Sequence, residues 1–145
     1  MKQCVPISEI MTKNLVTAQV SDSLKHISTL FKENNIKHLP IVSGRTLVGI
    51  VSKTDILRLS FADIYEGQDD VDETVFEMLR TEQVMVHNPT TVDVHDTVQD
   101  VASIMSMAEF HALPVLEQGK AVGIISSTDL IKYLLQQYHR QQISK

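Results

Sequence analysis

A single cysteine, Cys4, stands among 145 residues, so no disulfide can form within the chain and nothing in it asks for an oxidising compartment. Glycine is scarce and scattered, five residues in all, which leaves no glycine-rich loop to cradle a phosphate. Lysine and arginine number 13 against 18 aspartates and glutamates, a net charge of −5. Without a cationic stripe to neutralise phosphates, generic duplex binding is disfavoured. Apolar runs last only a few residues, too few for a membrane span, and the N-terminus lacks a basic-led apolar segment with a small-residue cleavage site. A cytoplasmic protein is expected, with neither nucleic acid nor membrane among its partners. The six histidines, His26, His38, His87, His95, His111 and His139, show no His-x-x-x-His spacing, so no metal site is expected. No nucleophile, base and orienting group form a catalytic pattern, and the chain reads as a non-enzyme that requires no cofactor.

What is present is a duplication. With 43% hydrophobic and 21% charged residues the composition is that of an ordinary globular protein, and the length suits one compact domain or two small units sharing an interface. Sliding the chain on itself by 74 residues pairs Ile10–Leu59 with Val84–Tyr133 without a gap and gives thirteen identities in fifty positions. Random pairing would give roughly three. The identities include Met11 with Met85, Asp22 with Asp96, Leu39-Pro40 with Leu113-Pro114, and Val48-Gly49-Ile50, Ser52 and Thr54-Asp55 with their partners.

Each copy reads as strand, helix, strand, strand, helix. Leu15 to Ala18 offers a first strand, and Ser21-Asp22-Ser23 a helix start with Asp22 as N-cap. Leu24, Ile27, Leu30, Phe31 and Asn34 form a core-facing stripe, repeated as Val98, Val101, Ile104, Met105 and Ala108. His38 to Val42 and Leu47 to Ser52 flank the hairpin signal Ser43-Gly44-Arg45-Thr46, and Ala112 to Leu116 and Ala121 to Ser126 repeat it with the turn glycine at Gly119. A final helix runs from Thr54 towards Tyr65. Ahead of the first copy, Ile7, Ile10 and Met11 have helix-like spacing, consistent with a short helix packing on the second copy's counterpart, Val75–Leu79. The expected class is α/β (mixed α+β), two pseudo-symmetric β-α-β-β-α repeats packed sheet to sheet. Residues 1–62 are the first repeat with its lead-in, 63–73 an acidic linker, 74–138 the second repeat and 139–145 a polar tail with a frayed helix end. One repeat alone would be marginal, and nothing beyond the two is long enough to be an effector domain.

The chemistry concentrates in the two stretches Gly49-Ile-Val-Ser-Lys-Thr-Asp55 and Gly123-Ile-Ile-Ser-Ser-Thr-Asp129. Each runs a buried strand straight into the first turn of a helix. Ser52-x-x-Asp55 and Ser126-x-x-Asp129 fit a capping box, in which a hydroxyl and a carboxylate satisfy orphan N–H groups at a helix start. The same groups suit a sugar and a phosphate: an ionised carboxylate offers two acceptor oxygens to vicinal ribose hydroxyls, and helix N-termini favour anions. Both readings stand on the residues alone.

The strand-helix unit, the hydrophobic-Leu-Pro-Val/Ile strand and the Gly-hydrophobic-hydrophobic-Ser-x-Thr-Asp ending, each occurring twice in the same order, resemble the CBS (cystathionine β-synthase) domain family, and together a tandem pair or Bateman module. The resemblance covers about two thirds of the chain. It implies an adenine nucleotide (AMP, ADP or ATP) bound in clefts between the repeats, as an energy or metabolite sensor. Asp55 and Asp129 would hold ribose, with Thr54, Thr128, Ser52 and Ser126 at sugar or phosphate and Thr17 and Thr91 joining from the end of the first strand. Lys37, His38 and His111, just before Leu-Pro, would meet phosphates, and Ala112 leaves the second repeat one donor short. The resemblance further implies a homodimer and a separate, unidentified regulated protein. The alternative is a ligand-free dimerisation or scaffold module whose serines and aspartates only cap helices.

Overall fold

A computed structural model of the chain describes residues 4–65, 78–108 and 110–143, with side chains at 60–65 excepted. The chain divides into two units, Val16–Pro89 and Met1–Leu15 with Thr90–Lys145. In the Val16–Pro89 unit β1 (Ala18–Gln19), α1 (Leu24–Asn34), β2 (His38–Ser43), β3 (Thr46–Ser52) and α2 (Lys53–Tyr65) are followed by α3 (Thr81–Val84) and β4 (Val86–His87). The sheet order is β1-β2-β3-β4, with β1 parallel to β2 and the remaining pairs antiparallel. Leu39, Ile41 and Val51 are fully buried beside Leu24, Ile27 and Phe31 of α1. Proline is tolerated inside β2 because Pro40 precedes Ile41, where the β1 ladder begins, so its missing N–H forfeits no bond on that side. Gly44, at φ 63°, closes the two-residue hairpin loop where the right-handed twist of the strands demands a positive φ.

Three expectations shift here. The first strand is Ala18–Gln19 rather than Leu15 to Ala18, so Thr17 precedes it instead of ending it. The N-cap of α1 is Ser23, whose Oγ accepts from His26 N at 3.1 Å. Asp22 turns back to accept from Gln19 N at 2.8 Å, closing the turn before the helix. Asn34 lies off the core stripe: it is exposed, and its amide donates to Leu30 O at 2.9 Å.

The other unit carries β5 (Val92–Asp93), α4 (Val98–Met107), β6 (Ala112–Glu117), β7 (Lys120–Ser126) and α5 (Ser127–Ile143), with sheet order β5-β6-β7. Every start repeats its counterpart at the 74-residue offset, and so does the local irregularity: the register jumps between Ile41 and Val42 in one sheet and between Val115 and Leu116 in the other. Thr97 caps α4 in a reciprocal box with Asp100. Thr91 again precedes its strand. The tail is more regular than expected, since α5 continues to Ile143.

Each unit is completed by the stretch that leads into the other repeat. Thr12 pairs with Ile124 of β7, Pro6 bridges Thr97, and the 3-10 turn Ile7–Glu9 buries Ile7 completely in the core with Val101, Leu113 and Ile125. In the Val16–Pro89 unit the matching residues repeat the pattern: Val86 pairs with Ile50, Arg80 bridges Ser23, and Thr81 is completely buried. Gly49 and Gly123 make room for this. A Cβ on Gly49 would lie 2.4 Å from Met85 Sδ, and one on Gly123 would lie 2.7 Å from Met11 Sδ. The lead-in therefore does pack as a short helical turn, but into the body of the second repeat. Of Val75–Leu79 only Met78 and Leu79 are described, and Leu79 packs on the core of the Val16–Pro89 unit. The acidic stretch from Glu66 to Glu73 and the last two residues of the tail lie outside the described residues.

Candidate functional site

The second strand of each hairpin delivers its serine to the helix start, because strand and helix follow without an intervening residue, β3 ending at Ser52 and α2 beginning at Lys53. Four N–H groups at such a start have no partner within the helix. The chain satisfies two of them at each junction with its own capping side chains. Asp55 N donates to Ser52 Oγ at 3.1 Å while Ser52 N donates to Asp55 Oδ2 at 3.1 Å. Ser126 and Asp129 do the same at 3.2 and 2.9 Å. Both junctions are complete capping boxes, worth about 1 kcal/mol each.

Capping does not exhaust these groups. In each aspartate Oδ2 is committed, whereas Oδ1 accepts no hydrogen bond among the described residues, and the serine hydroxyl accepts through its lone pair and retains its own hydrogen to donate. Both aspartates and both serines are half-buried, while Thr54 and Thr128 are exposed. Each junction thus presents one carboxylate oxygen, held in a fixed rotamer by its partner bond, beside two hydroxyls. That arrangement is chemically able to accept hydrogens from vicinal hydroxyls at little further cost in side-chain entropy.

The residues before Leu-Pro arrive at the same place. His38 stands opposite Ser52 across the hairpin, and Ala112 opposite Ser126. Lys53 N donates to Lys37 O at 2.8 Å, and Ser127 N to His111 O at 2.9 Å, which ties the start of the first hairpin strand to the helix. Lys37 and His111 are exposed and His38 is half-buried. Thr17 and Thr91 also lie at this end of their sheets, each one residue ahead of a strand that joins next to Leu-Pro. Within each unit the fold therefore gathers its predicted residues at one sheet end: Thr17, Lys37, His38, Ser52, Thr54 and Asp55 in one, and Thr91, His111, Ser126, Thr128 and Asp129 in the other.

Sequence reasoning missed part of the second set. Asp129 lines a small pocket of about 150 Å³ with Ile10, Lys132, Tyr133 and Gln136. Lys132 and Gln136 follow Asp129 at intervals of three and seven along α5, a signal available in the sequence. Ile10 was not available, since it arrives through the exchanged lead-in. A larger cavity of about 560 Å³ lies at the start of α1, lined by residues such as Asp22, Lys25 and Arg80, and none of the predicted site residues borders it. Among the described residues no group of three or more His, Cys, Asp or Glu side chains could hold a metal ion, and no helix is long and apolar enough to cross a membrane.

Comparison with known proteins adds three findings. The family model described as "CBS domain" matches twice, at residues 7–62 and 82–136. An uncharacterised protein of Methanocaldococcus jannaschii is 35% identical over 129 residues, which are 88% of this chain and 43% of that protein. The chain spans between 31% and 46% of the length of the first three such relatives. Among solved structures, the CBS domain pair of MJ0100 in complex with 5′-methylthioadenosine and S-adenosyl-L-methionine is similar at a TM-score of 0.76 and 25% identity, covering 92% of this chain and 98% of that one. CBSX2 in complex with AMP is similar at 0.72 and 24% identity, covering 90% and 96%.

Proposed function

The chain belongs to the CBS domain family, and on that basis we propose that it is a regulatory, non-catalytic module that binds an adenine nucleotide, AMP, ADP or ATP, at its two Ser-x-Thr-Asp junctions. The observation that carries this is the half-used carboxylate: in both repeats Asp55 and Asp129 are fixed by one oxygen and offer the other. Ser52, Thr54, Ser126 and Thr128 supply hydroxyls around it, Thr17 and Thr91 join at the sugar side, and Lys37, His38 and His111 face the phosphates. The MJ0100 pair, with its adenosine-containing ligands, supports the adenosine part of the reading; the CBSX2 likeness supports the fold alone. The module works as a homodimer in the cytoplasm on a separate regulated protein. Ligand acts through unequal affinity for two arrangements, since equal affinity would shift nothing.

The completeness of both capping boxes favours a second reading, a ligand-free dimerisation or scaffold module. A thermal-shift screen with AMP, ADP, ATP and S-adenosylmethionine separates the two. A ligand at a hundred times its dissociation constant adds about 2.7 kcal/mol, which for a chain of this size raises Tm by roughly 5 to 15 °C. Asp55→Ala and Asp129→Ala should each lower the unliganded stability by about 1 kcal/mol, the loss of a cap, and each should also abolish part of the ligand-induced shift. A parent protein indifferent to all four compounds, with the two variants showing the capping loss only, establishes the scaffold instead.

A further inference from the structure

Resting on the nucleotide reading above, we infer that Lys132 is the residue by which the second junction distinguishes phosphorylated from unphosphorylated adenosines. Asp129, Lys132 and Gln136 stand on one stripe of α5 and line the same 150 Å³ pocket. Pockets that enclose an entire small ligand measure about 300–1,000 Å³. This one has room for only part of such a ligand, and of the residues assigned to the second junction Asp129 alone lines it. Asp129 brings the acceptor that a sugar needs. Lys132 brings a cation, exposed and in no salt bridge among the described residues.

A phosphate monoester carries about −1.5 to −2 charges at neutral pH, so a 5′-phosphate gains from Lys132 what a free 5′-hydroxyl does not. The first repeat keeps a cation at this register, since Arg58 matches Lys132, and has Ala62 in place of Gln136. It also has Lys37 and His38 before Leu-Pro, where the second repeat has His111 and Ala112. Lys132 therefore supplies a larger share of the donors at its junction than Arg58 does at the other. Without it, His111 is the one basic side chain left among those assigned to phosphate there.

Nitrogen-15-labelled full-length protein is titrated separately with AMP and adenosine, and affinity is read at the amides of Ser126–Asp129 and, independently, at those of Ser52–Asp55. AMP should bind more tightly than adenosine at Ser126–Asp129. Lys132→Gln should weaken AMP there about tenfold, leave adenosine unchanged and leave both ligands unchanged at Ser52–Asp55. Lys132→Glu should weaken AMP further. Since Lys132 is exposed, neither variant threatens the fold. If AMP binds at Ser126–Asp129 equally well in both variants, the role of Lys132 is refuted and the nucleotide reading stands. If the amides of both junctions ignore both ligands, the nucleotide reading falls and takes this inference with it.

Discussion

The two units place different residues at the same anchoring point. In the Val16–Pro89 unit Thr81 occupies it, fully buried, its hydroxyl donating to Asp22 O at 2.7 Å. In the other unit the equivalent residue is Ile7, equally buried, and its backbone N–H donates to Asp96 O at 2.8 Å. The acceptor is thus the same carbonyl in both copies, reached once by a side chain and once by the main chain. At this point one lead-in adds a side-chain hydrogen bond to a part-buried acceptor, the other the burial of an aliphatic side chain. A shared backbone register accommodates either chemistry, provided that the volume is filled and the carbonyl has its donor.

The comparison can be broken most forcefully at that point. Ile7→Ala should cost about 2–5 kcal/mol in urea denaturation, the usual range for emptying a fully buried aliphatic site. Thr81→Ala should cost about 0.5–1.5 kcal/mol, mainly for the lost hydrogen bond to a part-buried acceptor. Equal losses would mean that the two anchors are energetically equivalent despite their chemistry. A finer contrast lies at the glycines. An added Cβ meets backbone at 2.8 Å from Thr12 O at position 123, but at 3.0 Å from Val86 O at position 49. At position 123 the obstacle is backbone, and at position 49 it is Met85, buried in the core, whose Cγ would lie 2.9 Å away. Gly123→Ala and Gly49→Ala should therefore each destabilise by about 1–3 kcal/mol. The same urea midpoints check both losses. The smallest effect concerns binding: Ala112→His gives the second junction the donor that the first has in His38, and should tighten AMP at Ser126–Asp129 by about 1 kcal/mol or less, a few-fold in Kd. No change would place the phosphate away from the residue before Leu-Pro.

Much of this was legible from one sequence because duplication acts as an internal control. The hairpins, the buried Leu-Pro strands and both strand-to-helix junctions follow from patterns that recur at a fixed offset, and the capping boxes from Ser-x-x-Asp spacing. The misses were local competitions. Asp22 and Ser23 are both good caps, and the choice fell to the residue whose oxygen reaches His26 N, leaving Asp22 to close the preceding turn. Asn34 fits the helical period, yet its amide finds Leu30 O more readily than a place in the core. Lys132 went unremarked because an isolated lysine on a helix is ordinary until a pocket is seen beside it. The partner chosen by each lead-in was out of reach for a different reason: pairing of Thr12 with Ile124 spans most of the chain, and the alternating pattern that marks a strand says nothing about which edge it joins.

That crosswise completion separates heredity from mechanics. What was copied runs from one lead-in to the end of the following helix; what packs together as one unit is a different length, the continuous stretch from Val16 to Pro89. Dissection at the ancestral seam would strip each half of the segment that closes its sheet and fills its core, and a proteolytic cut after Leu15 would be felt in the far half of the polypeptide rather than in the near one.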